Sequence, residues 1–220
     1  MGNRFKAALF DLDGVVFDTE KYYSEFWGQQ GREFHPEMRH LEQIIKGQTL
    51  TQIYDKYFSG GLESKRGLIT RRLDEFEGNM PFEYIPGVET FVKDLRARGV
   101  KTAVVTSSNK KKMSAVYRRH NGFKLLFDAI LTAEDMERSK PAPDCYLAAA
   151  KRLGVGVSEC VVFEDSINGL KSGKAAGMKV VGLATTNPAD AIGQFADIVV
   201  DDFDAVSYAR CEDLLASCMA

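Results

Sequence analysis

From Tyr84 onward, short apolar runs rich in β-branched residues alternate with segments of helical length. The runs occupy positions 100–108, 127–133, 159–165, 178–185 and 196–202. Several of the intervening segments end in glycine, as helices often do. Continuously apolar strands that alternate with helices predict a parallel sheet covered on both faces, which is an α/β fold. Right-handed crossovers would place the carboxyl ends of all strands at one edge of that sheet.

Residues 18–85 follow a different pattern, with apolar residues at helical spacing and no convincing strand. Tyr22, Tyr23, Phe26 and Trp27 form one such stripe. Aromatic stripes of this kind usually pack in a core, so we assign no functional role to Phe26 or Trp27. The segment is interpreted as an all-helical insertion after the first strand. We therefore predict a core domain from residues 1–17 and 86–220 and a helical cap domain from residues 18–85.

Asp11 and Asp13 follow the first apolar strand directly, and Gly14 ends it. In an extended chain, residues two apart point to the same face, so both carboxylates would lie together at the carboxyl end of the strand. Open α/β sheets bind their ligands at that end. A divalent cation is the simplest partner for two repelling carboxylates. An ordinary polar turn is the alternative.

Three later strands also end in polar groups. Thr106 and Ser107 open a helix, where a hydroxyl and free N–H groups suit a phosphate. Lys140 lies in a loop stiffened by two prolines, and Glu164 and Asp165 end another strand, where they can bind a hard cation. Each cluster alone also fits a helix N-cap or a surface lysine. Together, at one sheet edge, they indicate a phosphate and metal site.

The chain resembles the haloacid dehalogenase superfamily of phosphotransferases, in the branch with a helical cap after the first strand. The resemblance rests on FDLDGV, VVTSSN, SKPAPD and FEDSINGLKSGKAAG and spans essentially the whole chain. The subgroup that it resembles contains β-phosphoglucomutase and sugar-phosphate phosphatases. The resemblance implies a three-layer, Rossmann-like parallel sheet with an inserted helical cap.

The resemblance also implies roles for the two aspartates. Asp11 corresponds to a nucleophile that forms an aspartyl-phosphate. Asp13 corresponds to the general acid that protonates the leaving oxygen and then to the base that activates water. A halide leaves without a proton, so the presence of Asp13 favours phosphoryl transfer over dehalogenation.

The remaining roles implied by the resemblance concern the phosphoryl group and the metal. Thr106, Ser107 and Lys140 would bind the phosphoryl oxygens, and Lys140 also counts among the catalytic residues. The implied cofactor is Mg²⁺. Its expected ligands are Asp11, Asp13 through its backbone carbonyl, Asp165 and, as a direct or indirect ligand, Glu164.

We therefore predict a phosphatase acting on a small phosphorylated metabolite, such as a sugar or polyol phosphate. A β-phosphoglucomutase-like mutase is the alternative, but Leu50 stands where its second-phosphate arginine would be, and Tyr23 replaces a cap histidine. Arg71 and Arg72 are potential anion-binding residues, although exposed helix positions explain them more simply. A catalytically silent binding protein is a further alternative, which the presence of all four of Asp11, Asp13, Lys140 and Asp165 disfavours. The cap is expected to close over the site, with residues 14–18 and 83–87 as hinges.

Charge gives no indication of a nucleic-acid or membrane partner. The net charge is −2, from 29 Lys and Arg against 31 Asp and Glu. The longest basic run, Lys110 to Lys112, is interpreted as a solvated helix start. We expect a small phosphate ester as the only partner and a monomer as the default state.

The cysteines and the amino terminus indicate a cytoplasmic protein. Cys145, Cys160, Cys211 and Cys218 show no CxxC spacing, which argues against a zinc site or a redox dithiol. Cys160 is expected to be buried beside a strand. The first residues begin a strand almost at once and show no signal-peptide pattern.

Overall fold

A computed structural model describes residues 4–46 and 48–216. Its centre is a six-stranded parallel sheet in the order β3-β2-β1-β4-β5-β6. The strands are β1 Ala7–Phe10, β2 Lys101–Val105, β3 Ala129–Leu131, β4 Cys160–Glu164, β5 Lys179–Leu183 and β6 Ile198–Val200. The predicted α/β fold is confirmed.

The α-helices within the described residues cover the sheet or lie in the inserted segment. Four helices lie between β1 and α5: α1 Glu20–Phe34, α2 Leu41–Ile44, α3 Leu50–Tyr57 and α4 Arg66–Asn79. The others are α5 Val88–Ala97, α6 Lys110–Arg119, α7 Phe123–Leu126, α8 Asp144–Leu153, α9 Ile167–Ala175, α10 Ala189–Ile192 and α11 Tyr208–Ala216.

The central strands are buried on both faces, and their side chains alternate between two apolar clusters. Ala8 and Phe10 of β1 belong to one cluster, whereas Ala7 and Leu9 belong to the other. Phe10 stacks on Phe163 of β4 with ring centroids 4.8 Å apart. This alternation follows from the two-residue period of a strand, and it explains why the strands are apolar without interruption.

The strand order reverses direction beside β1, because β2 and β4 lie on its two sides. Such a topological switch point leaves a crevice at the carboxyl ends of the flanking strands. A ligand site is therefore expected at the residues just after β1, β2 and β4.

Helices α1 to α4 share an apolar cluster whose buried members, among them Trp27, Ile53 and Ile69, are distinct from those of the two clusters of the sheet. The half-buried Tyr23 and Phe76 pack against this cluster and against one cluster of the sheet. The chain enters and leaves this segment along paired backbone. Asp18 N–H donates to the Glu83 carbonyl at 2.8 Å, and Ile85 N–H donates to the Val16 carbonyl at 3.0 Å. The domain boundaries at 17/18 and 85/86 stay a prediction.

Cys145, Cys160 and Cys211 are buried free thiols, as expected for Cys160, while Cys218 lies outside the described residues. Across the described part of the chain, no helix is both long enough and apolar enough to cross a bilayer.

Candidate active site

Asp11 lies at the switch point, one residue beyond the end of β1. Its backbone N–H donates to the Phe163 carbonyl at 3.0 Å, which fixes it against β4. Lys140 Nζ donates to Asp11 Oδ1 at 2.7 Å and to Glu164 Oε1 at 2.6 Å. A third contact, 3.0 Å to the Val105 carbonyl, completes the coordination of this ammonium group. Lys140 is therefore held beside Asp11 rather than exposed to solvent, and its side chain is 6% exposed.

Glu164 is fully buried and makes hydrogen bonds through both carboxylate oxygens. Tyr146 OH donates to Oε1 at 2.7 Å, and the Asp165 N–H donates to Oε2 at 3.2 Å. Gly169 leaves the space for this carboxylate, since a Cβ there would lie 1.9 Å from it. The buried charge of Lys140 is thus balanced by two acids. Burial alone would lower the pKa of this ammonium group, but Asp11 and Glu164 raise it above the ordinary value.

Asp11, Glu164 and Asp165 form a buried acidic cluster in which one oxygen of each residue lies within 4.8 Å of the others. Burial raises the pKa of Asp11 to about 7, with Glu164 and Asp13 adding to the rise. Burial also raises the pKa of Asp165 well above its usual value, again with Glu164 contributing. Oxygen ligands that repel one another fit a hard divalent cation. These three residues are a candidate metal site.

The turn after Asp13 depends on Gly14. Its φ is +71°, and an added Cβ would lie 2.0 Å from Asp165 Oδ2. Glycine at this position therefore allows both the left-handed backbone and the close approach of the Asp165 carboxylate. Thr186 Oγ1 donates to the same oxygen of Asp165.

Asp13 has a different environment from Asp11. Thr19 Oγ1 donates to its Oδ1 at 2.6 Å, and Ser108 Oγ donates to its Oδ2 at 3.0 Å. Lys112 Nζ lies 2.6 Å from each oxygen. Burial alone would raise the pKa of Asp13, but Lys112 and the two hydroxyl donors bring it below the usual value of 3.8. Asp13 is therefore a carboxylate at neutral pH.

The hydroxyl loop after β2 lies at the same edge. Thr106 is buried, and its Oγ1 accepts the Ser108 N–H at 3.0 Å. Asn109 caps α6 by accepting the Lys112 N–H at 2.9 Å. Thr106 and Ser107 both line the cavity that contains Asp11, so every predicted site residue except the fully buried Glu164 faces this space.

The cavity has a volume of about 700 Å³ and lies between the sheet edge and helices α1 to α4. From the helical side it is lined by Tyr23, Leu50 and Trp27 and by a polar group consisting of Glu20, Glu42, Lys46, Thr49, Asp74 and Glu77. Trp27 thus reaches the cavity although the stripe pattern assigned it no role.

Arg71 and Arg72 do not line this cavity. This agrees with their interpretation as residues on a helix surface. Arg72 Nη1 instead lies 2.6 Å from Glu33 Oε2 in an ion pair on the helical segment. Neither guanidinium is therefore placed to bind a ligand there.

The interpretation of Lys112 as a solvated residue at a helix start is wrong, because its side chain is only 4% exposed and is paired with Asp13. The N-cap at Asn109 was the available signal, since it puts Lys112 in the first helical turn beside the sheet edge. The sequence patterns give no indication of the contacts made by Thr19, Ser108 and Tyr146. Their roles depend on contacts across 6, 95 and 18 positions of the chain, respectively, which a local pattern does not contain.

A parallel sheet with an acid–lysine centre and an acidic cluster at its carboxyl edge defines an α/β enzyme of the type that acts at a switch point. The sequence model of the haloacid dehalogenase-like hydrolases matches residues 5–177. The chain belongs to this family.

Two bacterial relatives match most of the chain. The Bacillus subtilis (strain 168) protein YhcW is 33% identical over 198 residues, which cover 80% of this chain and 82% of that protein. Hexitol phosphatase A of Escherichia coli (strain K12) is 32% identical, with 85% and 86% covered. Two longer relatives from Arabidopsis thaliana are spanned by the chain over only 18% and 50% of their length. The predicted family and the predicted class of enzyme, a phosphatase of this family, are confirmed.

A solved structure shares the fold over nearly the whole chain. A HAD hydrolase of family IA, variant 3, from Entamoeba histolytica HM-1:IMSS superposes with a TM-score of 0.83 at 22% identity, covering 96% of this chain and 100% of that one. At this identity the likeness concerns the fold alone.

Proposed function

We propose that the protein is a Mg²⁺-dependent phosphatase that hydrolyses sugar or polyol phosphates through an aspartyl-phosphate on Asp11. The observation that carries the proposal is the placement of Asp11 at the switch point, bonded to Lys140 and beside Glu164 and Asp165. Relatives with similar coverage include hexitol phosphatase A and fructose-1-phosphate phosphatase YqaB of Escherichia coli (strain K12). The cavity wall, rich in hydroxyl and carboxylate groups, suits a leaving group with many hydroxyls.

The first chemical step would transfer the phosphoryl group to Asp11. A carboxylate oxygen of Asp11 forms a bond to phosphorus while the bond from phosphorus to the leaving oxygen breaks. Thr106, Ser107 and Lys140 bind the three phosphoryl oxygens and stabilise the charge that develops on them. Asp13 delivers a proton to the leaving oxygen. Since Asp13 is ionised in the resting site, it gains this proton from the monoanionic form of the substrate, whose second pKa lies near 6.

The second step would return Asp11 to its starting state. Asp13, now a carboxylate again, removes a proton from a water molecule that attacks phosphorus. The bond between Asp11 and phosphorus breaks, and phosphate leaves with the proton. Asp11, Asp165 and the backbone carbonyl of Asp13 would hold Mg²⁺, with Glu164 holding Lys140 and completing the acidic cluster. The cation would supply positive charge that offsets the repulsion between these carboxylates and the phosphate.

The mutase alternative has less support because a mutase must bind a second phosphate. Among the described residues that line the cavity there is no arginine. Of its lysines, Lys112 and Lys140 are paired with acids, and Lys46 donates to the Thr186 carbonyl at 3.3 Å. The helical side contributes Glu20, Asp74 and Glu77, which repel an anion. A substrate with one phosphate and an uncharged body fits this wall better.

The direct test is phosphate release from hexitol phosphates, fructose 1-phosphate and glycerol 1-phosphate, with and without Mg²⁺. We expect Mg²⁺-dependent hydrolysis of at least one ester and a loss of at least about 10⁴-fold in Asp11→Asn, because the nucleophile is removed. Asp201→Asn is the matched control, since Asp201 is exposed and does not line the cavity.

Three results would contradict the proposal. Activity that survives in Asp11→Asn would remove Asp11 from its role as nucleophile. An absence of activity on every phosphate ester would favour the silent binding protein instead. A faster conversion of β-glucose 1-phosphate into glucose 6-phosphate than into free phosphate would favour the mutase.

A further inference from the structure

Lys112 is a buried cation outside the four family motifs, and among the described residues Asp13 is the carboxylate with which it forms an ion pair, while Glu77 and Glu20 lie close enough to feel its charge. Its ammonium group lies 2.6 Å from both oxygens of that carboxylate. The side chain is 4% exposed, whereas that of Asp13 is 21% exposed. Burying an ammonium group is costly unless it is paired, so the buried placement of Lys112 depends on its ion pair with Asp13.

Both oxygens of Asp13 accept hydrogen bonds, and the three donor side chains come from two segments of the chain, the residue before α1 and the start of α6. Thr19, which precedes α1, donates to one oxygen, and Ser108, which precedes α6, donates to the other. Lys112 bridges both oxygens, which fixes the plane of the carboxylate as well as its position. A carboxyl group held in one plane presents a defined edge to the cavity.

Lys112 also connects Asp13 to the helical segment. Its Nζ lies 4.6 Å from the centre of the Tyr23 ring in α1, and Tyr23 OH donates to Glu77 of α4 at 2.8 Å. The neighbouring Lys111 forms an ion pair with Asp74 of α4 at 2.5 Å. The first turn of α6 therefore connects Asp13 to helices α1 and α4, which line the helical side of the cavity.

We propose that Lys112 is a positioning residue that holds the carboxyl group of Asp13 towards the oxygen of the leaving group. The inference rests on the proposed phosphatase function, in which Asp13 protonates that oxygen. When Asp13 carries its proton on one oxygen, Lys112 still donates to the other, so the orientation is kept during the transfer. The proton moves from Asp13 to the leaving oxygen as the bond between that oxygen and phosphorus breaks.

This role predicts a dependence on the leaving group. An alkyl oxygen needs a proton to depart, whereas p-nitrophenolate leaves as the anion. Loss of the correct orientation of Asp13 should therefore slow the first step for a polyol phosphate and affect p-nitrophenyl phosphate little. A purely structural role of Lys112 would slow both substrates by the same factor.

The test compares kcat/KM for these two substrates in the full-length protein with Mg²⁺, because kcat/KM reports the steps up to departure of the leaving group. In Lys112→Met we expect a fall of at least about 100-fold for the polyol phosphate, in the range of general-acid catalysis, and of less than about 10-fold for p-nitrophenyl phosphate. Lys112→Arg should restore part of the loss. Lys110→Met removes an exposed charge from the same helical turn and should leave both values unchanged.

A charge-balanced double variant protects the test against misfolding. In an Asp13→Asn background, Lys112→Met should cause no further loss on the polyol phosphate, because a residue that acts through Asp13 has nothing left to position. An equal fall for both substrates in Lys112→Met, or an additive loss in the double variant, would overturn the positioning role. If the wild-type protein hydrolyses neither substrate, the proposed function fails and this inference fails with it. If the wild-type protein is active and Lys112→Met loses the same factor on both substrates, only the positioning role is overturned.

Discussion

At the scale of single residues, the site depends on how tightly Glu164 is enclosed. Its carboxylate contacts Lys140, Tyr146 and the start of α9, and Gly169 on that helix faces it without a side chain. A flexible carboxylate at a surface would move aside for an added methyl group. Glu164 cannot do so, because it is fully buried and any displacement would break its ion pair with Lys140.

Gly169→Ala is therefore expected to destabilise the fold by about 1–3 kcal/mol through overpacking and to reduce activity, since Lys140 would lose its position beside Asp11. Chemical denaturation with a phosphatase assay measures both effects. Gly78→Ala is the control, because a Cβ on that helical residue would meet no atom within 4 Å. It should leave stability unchanged or raise it by up to about 1 kcal/mol. Equal stability of Gly169→Ala and wild type would show that Glu164 is free to move.

The sequence predicts a site residue when its place in the fold follows from the neighbouring strand. It does not predict a residue whose role depends on a contact with a distant part of the chain. Asp11, Lys140 and Asp165 follow strands of a parallel sheet, and the topology alone brings such residues to one edge. The pairing of Lys112 with Asp13 crosses 99 positions and depends on the rotation of α6, which neither spacing nor composition contains. A run of three lysines is therefore interpreted as solvated, although one of them points inwards.

At the scale of elements, Asp197 joins one helix to two strands. Its carboxylate accepts Lys174 Nζ of α9 at 2.9 Å and the Val180 N–H of β5 at 2.8 Å, just before β6 begins. Lys179 Nζ lies 3.2 Å from its other oxygen. Burial alone would raise the pKa of Asp197, but these donors bring it below the usual value of 3.8. The charged form therefore stabilises this edge of the sheet.

Asp197→Asn is expected to lower the free energy of unfolding by about 1–3 kcal/mol at neutral pH, because charge-assisted hydrogen bonds are lost. A carboxyl group whose pKa is lower in the folded state stabilises the fold above its unfolded pKa and loses this effect as the pH falls through its folded pKa. The difference between wild type and variant should therefore shrink below about pH 4. Urea denaturation at several pH values measures it, with Asp201→Asn as the exposed control. A difference that stays constant down to pH 2 would contradict the assignment.

The strands and helices of the sheet region are predictable because more than one feature of the sequence indicates each of them. The strands are apolar throughout, and helix-length segments with terminal glycines separate them. The segment between α1 and α4 is less regular. Its apolar residues keep helical spacing from Ile44 to Tyr57, but α2 ends at Ile44 and α3 begins only at Leu50, after a capping box at Thr49. A cap competes with continuation of the helix, and periodicity alone does not detect it.

At the scale of the whole molecule, the apolar cluster of helices α1 to α4, whose buried members are distinct from those of the sheet, bears on the predicted domain division. Ile69 lies fully buried in that cluster, and Val162 lies fully buried in the sheet. Ile69→Ala should lower the stability of its region by about 2–5 kcal/mol. Because the two sets of buried residues are distinct, we expect faster amide hydrogen exchange in these helices and unchanged protection in β1 and β4.

Val162→Ala is the comparison for this experiment, since a cavity in the central sheet should raise exchange rates throughout the core. If Ile69→Ala accelerates exchange in β1 and β4 as much as in the helices, the two regions unfold together. The division at residues 17/18 and 85/86 would then have no energetic meaning.

The paired backbone at Val16–Asp18 and Glu83–Ile85 has a consequence for how such a chain can change over time. The points of departure and return lie side by side, bridged through Phe17 and Tyr84. A segment of different length or shape can be spliced between them without altering the strand order or the positions of Asp11 and Lys140. Under the proposed function, inherited variation can therefore exchange the cavity wall that would contact the leaving group while the sheet edge that would carry the chemistry stays constant.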